Sequence, residues 1–230
     1  MEKEADVMGK EAKICLSLYK IVYSIFFVSI LCVVRGVSFT NEVGVALEPP
    51  MALLAAVFCA DTYVQEIVSK RAEVERLYPV KNRILSIMKR MMVQEGYLFL
   101  LAAAGYGVYC IIQKPLSLYG VQIVIKDELK MFLVYLAAIA VTLIFWGLLS
   151  HTLSCLFRNM WAGIGCSLVL WITTNSTVGN RLLGKWNVFS YTFRNIEDNG
   201  DLSWVCGKMI CVLLILIMDV MLPEIIKKRG

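Results

Sequence analysis

His151 and Cys155 combine a potential general base with a potential nucleophile. His151 is the only histidine of the chain, and Cys155 follows it by four residues. Residues four apart lie on the same face of an α-helix, so the imidazole could take the proton of the thiol. An integral-membrane cysteine peptidase that processes a signalling peptide is therefore one candidate function. Against it, the neighbouring residues are apolar and no third residue that would orient the histidine is evident.

The remaining reactive residue types argue against a catalytic chain. The eight cysteines all lie in or beside apolar stretches, which is typical of free thiols in helices rather than of a disulfide framework or a zinc site. The sequence contains no G-x-x-x-x-G-K-[ST] phosphate loop, so any ATP must bind to a partner chain. We expect no cofactor and no metal on this chain, and no enzymatic activity.

The composition indicates a membrane protein. Of the 230 residues, 59% are hydrophobic and 18% are charged, whereas soluble domains average about 45–50% and about 25%. A mean hydropathy of +0.69, with only 5 prolines and 15 glycines, excludes disordered and collagen-like chains. We attribute the net charge of +5 to membrane topology rather than to nucleic-acid binding.

Six apolar stretches approach the roughly 20 residues that a helix needs to cross a bilayer. The predicted spans are 14–34, 50–68, 97–112, 131–149, 160–172 and 204–222. The predicted fold class is an all-α integral membrane protein with six transmembrane helices, in which residues 1–230 form one domain. Lys and Arg between the spans are about twice as frequent on one side, which places both termini in the cytoplasm.

Ionisable residues inside the spans are functional candidates because a charge in lipid is costly. Lys20 and Lys208 lie within about two turns of a predicted water boundary, so we expect their side chains to extend towards the headgroups. Asp61 and Asp219 lie near the inner ends of their spans. None is deep enough to suggest a proton relay, and this favours an amphipathic or lipid-like substrate over a small ion.

The predicted cytoplasmic loop, residues 69–95, is more charged than a connector needs to be. It reads as two helices separated by Pro79, and the second helix is amphipathic. Its apolar stripe comprises Val80, Ile84, Ile87, Met88 and Met91. Its polar stripe comprises Asn82, Arg83, Ser86, Lys89 and Arg90. The apolar stripe needs a partner, which is the headgroup layer, the inner helix ends of the protein itself, or a separate cytoplasmic protein.

At this loop the sequence resembles the permease subunits of ABC transporters of the ABC-2 type, also called type V exporters. Those loops have an acidic residue leaving the second span, a Glu ahead of a Pro-Val turn, and a Lys ten residues after the Pro. The residues in that register here are Glu66, Glu73, Pro79, Val80 and Lys89. The family's Gly-Thr pair before the Glu is replaced by Lys70 and Arg71. Six spans and a long outer loop before the last one extend the resemblance over nearly the whole chain.

The resemblance implies that the loop contains a coupling helix that docks on a separate ATPase subunit, which would bind ATP and Mg²⁺. The residues assigned to this docking surface are Glu66, Glu73, Arg76, Pro79, Val80, Arg83, Ile84 and Lys89. Two permease copies, identical or related, and two ATPase copies would form the transporter. It would export an amphipathic peptide, drug or lipid-like substrate from the cytoplasmic membrane of a bacterium.

The segment between the fifth and sixth spans is polar but rich in aromatic residues. These are Trp186, Phe189, Tyr191, Phe193 and Trp204. In the resembled family, this position holds short outer helices that dip back towards the membrane. An interfacial aromatic belt is the simpler interpretation.

A third candidate function is the substrate-binding membrane subunit of a vitamin importer, which also has six spans and depends on ATPases. Such subunits dock through a separate scaffold protein and do not need a long basic inner loop. The loop therefore favours the exporter permease over the importer subunit.

Overall fold

The computed structural model describes residues 15–62, 80–116, 125–195 and 201–229. These ranges are almost entirely helical, apart from short turns and one isolated bridge between Phe39 and Leu116. The α-helices are α1 (Leu18–Val34), α2 (Thr40–Cys59), α3 (Val80–Gln113), α4 (Ile125–Phe157), α5 (Met160–Thr174), α6 (Thr177–Leu183) and α7 (Trp204–Arg229), with a 3₁₀ turn at Gly184–Trp186. The predicted all-helical fold is confirmed over these residues, and so is the presence of short helices between the fifth and sixth apolar segments.

Four of the described helices are long and apolar enough to cross a membrane. They are Thr40–Cys59, Ile84–Gln113, Glu128–Phe157 and Trp204–Lys227. The apolar helices α1 and α5 have 17 and 15 residues. At 1.5 Å per residue they extend about 25 and 22 Å, less than the roughly 30 Å of a hydrocarbon core. The helices at two of the six predicted spans are therefore shorter than the other four, and the six-span topology stays a prediction.

Successive long helices alternate in direction, so the bundle has two ends. At the first, Gln113 donates a hydrogen bond to the carbonyl of Cys32 at 2.9 Å; this end also carries α6, and we call it the cap end. At the other, Lys20 Nζ lies 2.6 Å from Asp61 Oδ1; we call it the loop end. The core lies around α4, which packs against α2, α3, α5 and α7.

The outward faces of α1, α5 and α7 are apolar and exposed. Phe26 in α1, Val169 in α5 and Val220 in α7 are 65%, 63% and 74% exposed. Such surfaces are rare on soluble monomers at this extent but are normal where helices contact lipid. The exposed faces therefore agree with the membrane assignment drawn from composition.

Helix α2 begins at Thr40, ten residues before the predicted start at Pro50, so the predicted boundary is wrong. The backbone N–H groups of Ser38 and Phe39 donate to Glu42 Oε2 at 2.8 and 3.1 Å, which stabilises the first turn. Both prolines, Pro49 and Pro50, lie inside the helix. The predicted end at 68 falls in residues 63–79, outside the described part of the chain.

Pro50 leaves one carbonyl of α2 without its helical donor, and Arg35 replaces that donor. In a helix the carbonyl of Ala46 accepts from the N–H of residue 50, which a proline lacks. Arg35 Nη1 instead donates to this oxygen at 2.8 Å. The helix thus continues through the proline because a side chain from the preceding connection satisfies the freed carbonyl.

We expect Arg35→Met to destabilise the folded chain by about 1 kcal/mol, because the Ala46 carbonyl loses its donor. In a Pro50→Ala background, the restored N–H should make the same substitution nearly neutral. Thermal denaturation of the four proteins in detergent gives this double-mutant cycle. An Arg35→Met effect that is equal in both backgrounds would contradict the replacement of the donor.

Helix α3 joins the predicted second loop helix to the predicted third span without a break. It has 34 residues and extends about 51 Å, so it exceeds the thickness of a hydrocarbon core by about 20 Å. Gly96 lies at the junction but meets open space and does not interrupt the helix. The second helix of the predicted loop 69–95 and the predicted span 97–112 thus form one helix, since no residue between Val80 and Gln113 terminates it.

Three residues of the apolar stripe at the start of α3 pack on the chain itself, whereas Met88 is exposed. Ile87 and Met91 are buried in the main core, and Ile84 packs against that core. Of the three predicted partners, the helix ends of the protein itself are the ones that these residues contact. Arg90 is also buried, although the helical wheel placed it on the polar side.

Candidate functional site

Glu48 of α2 lies at the centre of a buried polar cluster. Its side chain is fully buried. Oε1 accepts a hydrogen bond from Thr142 Oγ1 of α4 at 2.8 Å and pairs with Lys208 Nζ of α7. Oε2 accepts from Thr192 Oγ1 at 2.6 Å. Three donors from three separate parts of the chain therefore neutralise and solvate this carboxylate.

The hydrogen-bond donors of Lys208 are also fully paired. Besides Glu48, its ammonium group donates to Thr142 Oγ1 at 2.8 Å and to the carbonyl of Val188 at 2.9 Å, which occupies all three N–H groups of a lysine. Lys208 is only 5% exposed, so the expectation that it extends towards the headgroups is wrong. The side chain turns inward because Glu48, 160 residues earlier in the chain, supplies the opposite charge.

Residues 187–194, which we call the cap segment, are inserted between α2, α4 and α7. Asn187 Nδ2 donates to the carbonyl of Thr174 at 2.8 Å, and Ser190 Oγ donates to the carbonyl of Trp204 at 2.5 Å. With the bonds of Val188 and Thr192 to the ion pair, the cap segment is bound at four positions. These four bonds pair polar groups of the cap segment with the surrounding helices.

Aromatic packing fixes the cap segment from its other side. Phe189 stacks on Trp146 of α4, with ring centroids 5.4 Å apart and an angle of 16° between the planes. Phe189, Tyr191 and Trp204 are buried, whereas Trp186 is 49% exposed. The aromatic-belt interpretation is therefore wrong for Phe189, Tyr191 and Trp204, because their rings fill the core between helices.

Two glycines permit this close approach. A Cβ at Gly207 of α7 would overlap the carbonyl oxygen of Asn187 and the hydroxyl of Ser190. A Cβ at Gly44 of α2 would lie 2.6 Å from Tyr191 Oη. The cap segment can reach Lys208 and Glu48 only because these two helix positions have no side chain.

Two charged residues make contacts at the end of the cap segment and in the connection that follows it. The Arg194 guanidinium lies over the Tyr191 ring, 4.3 Å from its centroid, and donates to the carbonyl of Asn41 at 3.0 Å. Asp201 accepts from the backbone N–H of Ser203 at 2.8 Å, ahead of the first turn of α7. Hydrogen bonds from Ser203 hold the pKa of the Asp201 carboxyl below its ordinary value.

The arrangement of the cluster around Glu48 is structural rather than catalytic. The carboxylate and the ammonium ion compensate each other, and each is saturated with hydrogen bonds, so no free acid, base or nucleophile faces a substrate. Separating the two charges inside the bundle would cost far more than separating a surface pair. The cluster therefore locks the cap segment to α2, α4 and α7 at the cap end.

Lys20 also forms an ion pair, at the loop end. Its Nζ lies 2.6 Å from Asp61 Oδ1, donates to the carbonyl of Phe58 at 2.9 Å and stands 5.3 Å from the centroid of the Phe58 ring. The two charged side chains are 13% and 16% exposed. Lys20 is thus held against α2 rather than extended along the bundle surface.

The pair His151 and Cys155 is brought together as predicted but is enclosed. Cys155 Sγ lies 3.7 Å from His151 Nε2. Cys155 is 2% exposed and His151 is 0% exposed, so a peptide bond cannot reach the thiol in this conformation. Among the described residues, no cluster of three or more His, Cys, Asp or Glu could hold a metal ion.

Most of the predicted ATPase-docking surface lies where the structure gives no description. Glu66, Glu73, Arg76 and Pro79 are outside the described residues, and only the backbone of Val80 and Arg83 is described, in the first turns of α3. Ile84 is half-buried against the core, and Lys89 is exposed on the same helix. The docking surface therefore stays a prediction.

The sequence reasoning missed Glu48, Thr142 and Thr192. The predicted second span begins at Pro50, so Glu48 falls outside it. One signal could have found it: Glu48 lies between the apolar runs VGVAL and MALLAAVFCA, and Lys208 is an opposite charge in another apolar stretch. Two opposite charges in separate spans predict an ion pair inside the bundle.

No family model, curated protein or solved structure matches the chain.

Proposed function

We propose that this chain is the permease subunit of an ATP-driven exporter of the ABC-2 type, embedded in the bacterial cytoplasmic membrane. Two such subunits, identical or related, would enclose the path of an amphipathic substrate, and two separate ATPase subunits would bind ATP and Mg²⁺. The observation that carries the proposal is the unbroken helix α3, which joins the segment that resembles a coupling helix to the membrane-crossing segment.

A continuous helix transmits a displacement because its backbone hydrogen bonds run through the junction. The first turns of α3, from Val80, exceed the length that the membrane requires, and Ile87 and Met91 hold them against the core. Movement of an ATPase attached near Lys89 would therefore tilt or shift α3 inside the bundle. Nucleotide could drive transport only if it favoured one of these arrangements over the other.

The two ends of the bundle differ in a way that suits alternating access. The cap end is fastened by the buried pair of Glu48 and Lys208, whereas the pair at the loop end, Lys20 and Asp61, is partly exposed. Partly exposed ion pairs contribute little stability, while a buried pair resists separation. In the proposed cycle the described arrangement has its cap end closed.

The partner is tested by purifying the tagged chain from its source cells in nanodiscs and assaying ATP hydrolysis. We expect a soluble subunit with a phosphate loop to co-purify. Lys89→Glu, at the loop end, should lower its recovery about tenfold through charge reversal at the docking surface. Glu73→Lys and Pro79→Ala should weaken the same contact, because both residues belong to the predicted coupling loop.

Lys185→Glu is the matched control, because it makes the same charge change at an exposed residue of the cap end. It should leave the recovery of the ATPase unchanged. Isolation of the chain alone without ATP hydrolysis would contradict the permease proposal. Equal recovery with Lys89→Glu, Glu73→Lys and the control would contradict the assignment of the loop.

A further inference from the structure

A groove lies between α3 and α4, separate from the cluster around Glu48. Its volume is about 270 Å³. Six of its seven lining residues are apolar or glycine, and the seventh is a carboxylate; the lining is Met92, Glu95, Gly96, Phe99, Ala140, Leu143 and Ile144. A mostly apolar groove with one charged group is the usual form of a site for a small amphipathic ligand.

Glu95 lies near the middle of α3, within the membrane-crossing segment Ile84–Gln113. It forms no hydrogen bond or ion pair with any residue that the structure describes. Its Oε1 approaches α4 at Gly147, where a Cβ would lie only 3.1 Å away. A carboxylate at this depth is costly unless a cation, a proton or water meets it.

Two other carboxylates of the described residues, Glu48 and Asp61, are paired with lysines, whereas Glu95 is not. Lys208 pairs with Glu48, and Lys20 pairs with Asp61, so these two lysines are not available to Glu95. The lining of the groove contains this one carboxylate and no basic side chain. Its charge therefore favours cations over anions.

We propose that this groove binds a lipophilic organic cation, with the charged group against Glu95 and the apolar body on Phe99, Leu143 and Ile144. Neither part of the groove suffices alone, because the apolar walls give no preference for charge and a lone carboxylate gives no preference for an apolar body. Binding to this groove requires neither the ATPase nor a second copy of the chain. The inference thus goes beyond the proposed transport function and can be tested without it.

Charge complementarity also decides between this ligand and an apolar helix from a second copy. A helix seated on the groove would cover Glu95 and remove its access to water without supplying a counter-charge, which is strongly unfavourable. A cationic ligand supplies the counter-charge and leaves its apolar body in contact with the walls. The ligand class is therefore a monocation with an aromatic or aliphatic body.

Tetraphenylphosphonium and tetraphenylborate provide the test, because they have the same shape and opposite charges. Equilibrium dialysis against the chain in nanodiscs, corrected with empty nanodiscs, measures saturable binding of each ion. We expect saturable binding of the cation only. Glu95→Gln should weaken it about tenfold, since the ion pair is lost in a medium of low dielectric constant.

Gly96→Leu places an apolar side chain in the groove and keeps the charge, and a Cβ at this position meets no atom within 4 Å. It should weaken cation binding to a similar extent. Glu224→Gln is the matched control, because it removes the same charge from an exposed residue near the end of α7, and it should bind as the unmodified chain does.

Four results would overturn the proposal. They are absence of saturable cation binding by the unmodified chain, saturable binding of both ions, retention of cation binding by Glu95→Gln, and retention of cation binding by Gly96→Leu. If Glu95→Gln does not fold, the Gly96→Leu result decides alone. Because the assay contains no ATPase, failure to recover an ATPase leaves the binding result standing, and absence of binding leaves the ATPase result standing.

Discussion

Lys208→Met is expected to destabilise the folded chain by about 3–5 kcal/mol, because it leaves Glu48 buried without its counter-charge. Glu48 is fully buried and would retain only the hydroxyl groups of Thr142 and Thr192. The carbonyl of Val188 would also lose its lysine donor. Thermal denaturation in detergent, followed by size-exclusion chromatography of the remaining monodisperse protein, measures the loss.

Two further variants distinguish the effect of the unpaired charge from a general loss of stability. The double variant Glu48→Gln with Lys208→Met removes both charges and should recover most of the lost stability, because no buried ion remains. Lys20→Met makes the same substitution in the partly exposed pair with Asp61, where we expect about 1 kcal/mol or less. A double variant no more stable than Lys208→Met would contradict the assigned role of the ion pair.

Gly207→Ala is expected to release the cap segment from its position. The new Cβ would overlap the carbonyl oxygen of Asn187 and the hydroxyl of Ser190, so the segment or α7 must move. Overpacking of this kind costs about 1–3 kcal/mol, and occasionally more. We expect a lower denaturation temperature together with new tryptic cleavage at Lys185, which precedes the displaced segment, or at Arg194, which is its last residue.

Gly165→Ala is the matched control, because Gly165 lies inside α5 and a Cβ there meets no atom within 4 Å. That substitution should stabilise α5 slightly, since alanine has a higher helix propensity than glycine. If Gly207→Ala showed the same tryptic pattern and stability as Gly165→Ala, the close approach of the cap segment to α7 would not exist in solution.

Both variants disturb the same feature, which is the fastening of the cap segment at the cap end. Lys208→Met removes the charge that holds the carbonyl of Val188, and Gly207→Ala removes the space that Asn187 occupies. In a transporter of the proposed kind, both changes should favour opening of the cap end. Restored folding in the neutral double variant would allow transport to be measured without the buried ion pair.

The sequence by itself determined the helical class and the approximate place of most helices. The apolar runs at 131–149 and 204–222 lie inside α4 and α7, and the run at 160–172 nearly coincides with α5. The helical wheel also identified Ile87 and Met91 as an apolar face that needs a partner. These predictions succeed because hydropathy and helical periodicity are properties of consecutive residues.

Only the tertiary structure decided the positions and partners of the charged side chains. Glu48, Pro49 and Pro50 locally predict a loop, yet Arg35 satisfies the carbonyl freed by Pro50, and Lys208 satisfies the charge of Glu48. The same holds for the aromatic cap segment, whose rings pack inside because Gly44 and Gly207 leave space for it. Pairing and close packing depend on residues up to 160 positions apart, and no window of consecutive residues contains both partners.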